Sequence, residues 1–348
     1  MNYINVRNGI NCAIAAAIIA VAWFIGGLDK YAFFLPHGNI AGAVCKSFIL
    51  LATVCAMAVL MYPWQNYLNS KFGGASAPDG FMGLPKLLWQ NLRNTDGTFS
   101  AAPAAVFCAA VCGFGFVPFE ANGALFKTES GIVYLLCCAV LANAAFAAAE
   151  LARGTKNSVQ DGMNRLYLSI LLGIPLFLAA LSFAMFGNSL SAESFIAAQQ
   201  TARLGGFVPG WFIFEPVAGQ AAFLVFCAGT LAFLNFGPFK SKGNPDAEFS
   251  GAQKALVTLS FYIRLVLFSA LIALFFLGAG NAPWEKLSFI PQWFWLGVKI
   301  FAAAALLVWA DNHFSAMERT RVFSFTVKTL LPLAALSLLA EGALLCLR

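Results

Sequence analysis

Nine stretches of this chain are almost unbroken runs of apolar side chains: 11–28, 43–63, 101–119, 131–152, 166–186, 218–236, 255–278, 293–310 and 327–347. A run of about 20 such residues, wound as an α-helix, spans the roughly 30 Å hydrocarbon layer of a bilayer. Inside that layer a segment must satisfy its backbone polar groups internally, which leaves helices and closed barrels. The runs are continuous rather than alternating, which argues against a barrel. The fold class that follows is all-α, a polytopic transmembrane helical bundle of nine spans, or eight if the first run does not span. Composition agrees. The chain is 60% hydrophobic and only 10% charged, against roughly 25% charged in a soluble domain, too few charges to cover a water-facing surface.

The first run follows an n-region carrying only Arg7, and no small-x-small cleavage site precedes Asp29-Lys30. It reads as a spanning helix rather than a cleaved signal. Two regions result: residues 1–42, with the first helix and its loop, and residues 43–348, the main bundle. The bundle's loops on one side are 64–100, 153–165, 237–254 and 311–328.

Basic residues sort onto that side. The four loops hold Lys71, Lys86, Arg93, Arg153, Lys156, Arg165, Lys240, Lys242, Lys254, Arg319, Arg321 and Lys328, twelve in all, against five in the others: Lys30, Lys46, Lys127, Arg203 and Lys286. Basic loops stay cytoplasmic, so the expected setting is a bacterial or archaeal inner (plasma) membrane with these loops in the cytoplasm. The net charge of +6 is used in this way. No basic stripe with interleaved aromatics accompanies it, so no nucleic-acid partner is expected.

Within the loops, Gly83–Trp89 reads as a short amphipathic helix at the membrane interface, with Trp89 as anchor and Lys86 and Arg93 toward headgroups. Asp246 and Glu248 stand just before the seventh span, where they suit a helix N-terminus or the mouth of a polar cavity. Ionisable residues inside spans are functional candidates by default. Arg264 lies well inside the seventh span and Lys299 in the first half of the eighth. Glu150 and Asp311 lie near the ends of the fourth and eighth spans, where snorkelling to the interface also accounts for them. Pairing of Arg264 or Lys299 with Glu150 or Asp311 is one arrangement the residues allow. Glu341 lies in the last span. Gly173-Ile174-Pro175 predicts a kink or local unwinding in the fifth.

Nine cysteines lie in or beside apolar runs without metal-site spacing, and the histidines, His37 and His313, are far apart. No cofactor ligand set is expected in this chain.

A family resemblance rests on particular residues. Glu248–Leu256 (EFSGAQKAL), followed by Phe268-Ser269-Ala270-Leu271 and Leu274–Gly278, is similar to the E-Y-S-G…S-A-L…L-F-L-G-G region of the subunit 1 (bacterial H subunit) family of respiratory complex I. Lys299 continues the match. Glu318-Arg319-Thr320-Arg321 resembles the A-R-x-R stretch of the homologous membrane subunit of formate hydrogenlyase and other group 4 NiFe hydrogenases. Lys328–Leu333 resembles the K-x-x-L-P-L opening of the last complex I helix. Weaker likenesses are Trp64-Gln65-Asn66, Lys71-Phe72-Gly73 and Gly83–Leu88. The chain departs from the family in its acids: Lys240 follows Pro238-Phe239 where a dense acidic loop is usual, and Phe261-Tyr262 stands for a Glu-Tyr pair. Of the acidic set, only Glu248 carries over by motif.

The resemblance implies a non-catalytic membrane subunit of a complex I-superfamily redox complex, either NADH:quinone oxidoreductase or hydrogenase-like. It would anchor a cytoplasmic iron–sulfur module to the membrane arm, with altered ion coupling or none. The implied partners are iron–sulfur and hydrogenase-like or quinone-reactive cytoplasmic subunits, antiporter-like membrane subunits, the lipid bilayer and, in the quinone-reducing branch, quinone. Iron–sulfur clusters would belong to the partner subunits. Interface or coupling candidates are Glu248, Asp246, Arg264, Lys299, Glu150, Asp311, Glu318, Arg319, Arg321, Lys71 and Lys86. The alternatives are an independent secondary transporter or channel, against which the lack of an inverted repeat counts, and a lipid-modifying membrane enzyme, which two isolated histidines do not favour.

Overall fold

The computed structural model describes residues 40–73, 83–93, 101–118, 128–200, 209–240, 249, 251–283 and 289–347. The first apolar run, Asp246 and Glu248 lie outside the described residues. Eight helices coincide with the eight later runs: α1 (Ile40–Phe72), α3 (Ala101–Phe114), α4 (Gly131–Leu151), α5 (Lys156–Phe186), α7 (Ala218–Leu234), α8 (Gly251–Phe276), α9 (Gln292–His313) and α11 (Leu331–Leu347). Three short helices join them: α2 (Gly83–Arg93), α6 (Ala192–Ala198) and α10 (Arg319–Phe325). Among the described residues there is no strand. Among the described residues six helices are long and apolar enough to cross a membrane, counting Arg319–Cys346 as one, and Pro103–Phe114 and Ala218–Leu234 are apolar but shorter.

The bundle is built around α8. Every residue from Tyr262 to Phe276 is buried, as expected of a helix that is apolar on all sides. Helices α1, α2, α3, α7 and α9 pack on it, while α4, α5 and α11 form a flank reached through α3 and α7. At one end of the core, Phe183 touches Phe195, Phe212, Phe226, Phe275 and Phe276 at centroid separations of 4.7 to 6.0 Å. Such aromatic pairs add about 0.5–1.5 kcal/mol each beyond their buried area.

Contacts between helix ends fix an alternating topology. Asn312 Nδ2 donates to Asn69 Oδ1 at 2.8 Å, Lys240 pairs with Asp311, Met317 N donates to Pro238 O, and the Arg153 guanidinium lies 4.2 Å from the Phe249 ring. These gather the last turns of α1, α4, α7 and α9 with the first turns of α8 and α10. At the other end, Ile132 N donates to Leu190 O, Phe116 stacks on Tyr134, and Gln199 Nε2 donates to Leu274 O. The basic residues Lys71, Arg153 and Lys240 thus lie at one end of the bundle.

Several helices outrun the apolar segments. α1 continues through Trp64-Gln65-Asn66 to Phe72, with Pro63 inside it, because Trp64 Nε1 donates to Phe301 O at 3.2 Å and Gln65 and Leu68 are buried. α5 begins at Lys156, its N-terminus capped by Thr155, whose side chain accepts from Ser158 N. The expected loop 153–165 is therefore mostly helix. The expected loop 311–328 shrinks likewise: α9 reaches His313, and α10 runs through a π-helical turn, Thr326–Leu330, into α11. No unwinding occurs at Gly173–Pro175, where α5 is helical throughout.

Candidate functional site

Four helices converge on a polar cluster inside the basic half of the bundle. Glu150, in the last turn of α4, is 1% exposed, and Arg165 of α5 is 6% exposed. Arg165 donates to it in bidentate fashion, Nε to Oε2 at 3.1 Å and Nη2 to Oε1 at 2.9 Å. Arg264 of α8, 1% exposed, donates from Nη2 to Asn143 Oδ1 at 2.8 Å and to the carbonyl of Phe233. That carbonyl belongs to the last turn of α7, the end of a helix that attracts a cation. Asn143 Nδ2 donates to Ser169 Oγ, and Ser169 Oγ donates to Arg165 O at 2.7 Å. The Phe146 ring lies near both guanidiniums, 4.2 Å from that of Arg165 and 5.0 Å from that of Arg264. Among the described residues Arg264 Nε is buried with no hydrogen-bond partner.

This arrangement corrects the expected pairings. Glu150 does not snorkel; it is buried and held by Arg165, a residue that the apolar pattern places in a loop. Arg264 pairs with an amide and a backbone carbonyl rather than with a carboxylate. Lys299, 5% exposed, bonds among the described residues to backbone carbonyls, those of Leu277, Ala279 and Asn281. Asp311 accepts from Gly237 N at 2.8 Å and from Lys240 Nζ at 3.3 and 3.4 Å. It pins the turn after α7 to the end of α9. Where the resemblance places a Glu-Tyr pair, Phe261 packs on Phe236 at 5.8 Å and Tyr262 on Tyr62 at 5.4 Å. Glu341 and Glu215 are both buried near the opposite end, and Glu215, outside the apolar runs, carries no signal in the sequence pattern.

The basic end presents an exposed face. Lys71, Lys86, Arg93, Glu318, Arg319, Arg321 and Lys328 are all exposed. Large apolar side chains stand among them: Trp309, Phe314, Met317 and Phe323 are exposed, and His313 stacks on Trp309 at 5.1 Å. Glu318 is the N-cap residue of α10, without a side-chain cap bond. The amphipathic α2 forms as expected. Leu84 is buried and Leu88 packs against the core, while Trp89 is 70% exposed. A lateral apolar groove of about 670 Å³ runs between α4 and α5, lined by Leu136, Val140, Gly173, Ile174 and Phe177, with Ser169 as a polar residue in its wall.

Comparison with known proteins adds a lineage to this geometry. The NADH dehydrogenase family matches residues 84–341. The H subunit of NADH-quinone oxidoreductase from Burkholderia vietnamiensis is 26% identical over 251 residues, 70% of this chain and 71% of that protein. Its counterpart in Burkholderia ambifaria is 26% identical over 248 residues, 69% of this chain and 70% of that protein. Among solved structures, a chain of the membrane-bound sulfane sulfur reductase, an archaeal respiratory membrane complex, superposes with a TM-score of 0.73. It is 15% identical, and the match covers 85% of this chain and 99% of that one.

Proposed function

The chain belongs to the NADH dehydrogenase family, that of complex I subunit 1 and the bacterial H subunit, and from this membership in a family of respiratory membrane subunits we propose that it anchors a cytoplasmic iron–sulfur electron-transfer module to the membrane arm of its complex. The observation that carries this reading is the basic end of the bundle. Exposed arginines and lysines lie beside exposed Trp309, Phe314, Met317 and Phe323 on a frame held by Asp311–Lys240 and Asn312–Asn69. Aromatic, Met and Arg side chains are enriched at protein interfaces, and a positive face selects and steers a negatively charged partner. In this reading the face lies in the cytoplasm of a prokaryotic cell, as the basic loops require. The iron–sulfur clusters sit in the docked subunits, and antiporter-like membrane subunits adjoin the bundle. Quinone is a partner if the complex belongs to the quinone-reducing branch.

Ion coupling, if the complex has it, does not run through this chain by the family's usual acids. What supports this is the state of the intramembrane groups: Phe261 and Tyr262 fill the Glu-Tyr position, and Glu150 is locked in a bidentate ion pair with Arg165. Such a carboxylate is a structural counter-ion. The docking reading is tested by the double variant Arg319→Glu with Arg321→Glu. Membranes should keep the subunit at wild-type level and lose the iron–sulfur module, read as iron content and partner abundance. Full retention of both would contradict docking at this face.

A further inference from the structure

At the end of the bundle opposite the basic face, α8 stops at Phe276 and the chain turns through Leu277–Asn281 toward α9. The last carbonyls of a helix have no intrahelical donor. Here donors come from elsewhere in the fold. Gln199 Nε2 reaches Leu274 O at 3.0 Å. Lys299 Nζ of α9 reaches three carbonyls at once, those of Leu277 at 2.5 Å, Ala279 at 2.8 Å and Asn281 at 2.6 Å. Carbonyls of alternate residues converge on one point because Gly278 (φ +68°) and Ala279 (φ +47°) both take left-handed backbone. The ammonium also lies 4.3 Å from the Trp211 ring centroid. Gly278 is required twice over: its φ is positive, and a Cβ there would fall 2.5 Å from Trp211 Cδ1.

An ammonium has three N–H donors and no acceptor. Among the described residues, three carbonyls and one aromatic face match that donor set. Converging backbone carbonyls are also the device by which proteins replace the hydration shell of a monovalent cation. We infer that the Leu277–Asn281 turn, roofed by Trp211, is a monovalent-cation site whose resident cation is the chain's own Lys299. The site takes primary ammonium ions, which carry the three N–H donors it needs, and the tethered cation locks α9 to the end of α8. Lys299 is thus a positioning residue that holds α9 to the end of α8.

The site is tested in the assembled complex with Lys299→Ala, which deletes a propylammonium from the fold. Thermal unfolding is followed while n-propylammonium chloride is raised at ionic strength held constant with tetramethylammonium chloride, with propan-1-ol as the neutral control. The expected result is a lowered midpoint that propylammonium restores saturably and for the most part. The wild type should not respond, and propan-1-ol should do nothing. A variant as stable as the wild type, or one that propylammonium fails to restore, or one that propan-1-ol restores equally, would overturn the assignment. If Lys299→Ala does not accumulate, Lys299→Gln, which keeps N–H donors without the charge, is measured in its place. A lowered midpoint then supports a cation site, and a wild-type midpoint overturns it.

Discussion

Removing the Glu150 carboxylate should be the most damaging single change in the buried polar cluster. Glu150 accepts two hydrogen bonds from Arg165, at 3.1 and 2.9 Å, and the Phe146 ring lies near the guanidiniums of both Arg165 and Arg264. Glu150→Ala leaves Arg165 without its partner and raises the buried positive charge of the cluster by one. Breaking a buried pair by deleting one partner costs about 3–5 kcal/mol. Arg165→Met lowers the buried charge instead and leaves Glu150 in the field of Arg264, so it should cost less than Glu150→Ala. The double variant Glu150→Met with Arg165→Met restores the wild-type charge and fills the space with apolar atoms. Replacements of that kind are often close to neutral, so it should lie within about 1–2 kcal/mol of wild type. Asp161, one turn before Arg165 on α5 and also buried, is constant through the series. The assay is reversible unfolding of the purified protein in mixed micelles, followed by far-UV circular dichroism. If Glu150→Ala proves no worse than Arg165→Met, or the double variant is as unstable as Glu150→Ala, the cluster is not held by charge balance.

Three further outcomes follow. Arg264→Met strips partners from Asn143 and from the Phe233 carbonyl; a lowered unfolding midpoint, with a loss of about 1–3 kcal/mol for buried groups left unsatisfied, is expected, and an unchanged midpoint would refute it. Gly219→Ala would drive a Cβ into the Phe212 carbonyl oxygen; either α7 or the Phe212 turn must shift, so folded protein in the membrane should fall sharply, whereas Ala at Gly173, which has open space around it, should be tolerated. Asn312→Ala breaks the bond to Asn69 at the basic end; the bond is exposed, so unfolding should change by no more than about 1 kcal/mol, and a larger loss in the same unfolding assay would show that the end of α1 is held there more firmly than this.

The spans are legible because hydrocarbon imposes one rule on every residue that crosses it: apolar side chains on a continuous helix. That rule is silent beyond the membrane slab. Residues 156–165 are polar, so the apolar pattern ends there, yet the helix does not, because Thr155 caps it and Asp161, Gly162 and Arg165 are buried against α4 and its neighbours. Arg165 therefore reads as a loop charge when it is half of the buried ion pair. Arg264 and Lys299 are legible as costly residues, since a cation inside a span needs a reason. Their partners are not. Asn143 lies 121 positions from Arg264, and Lys299 is satisfied by backbone carbonyls that any sequence would carry. Asn143 does leave a signal, as a lone amide within an apolar run, and a search for polar as well as ionisable residues inside spans would find it. The π-helical turn that joins α10 to α11 leaves no mark in the apolar pattern.

The central claim, that this chain is the docking subunit of a respiratory redox complex, is tested most directly by purifying the tagged chain from its own membranes in mild detergent. Mass spectrometry would identify what accompanies it, and iron and nickel would be measured in the same sample. The account predicts co-purified iron–sulfur proteins and antiporter-like membrane subunits, with iron in proportion to the tagged chain and nickel present only in the hydrogenase branch. A chain that purifies alone, iron-free and as a stable oligomer would contradict it and leave an independent transporter or channel as the better reading.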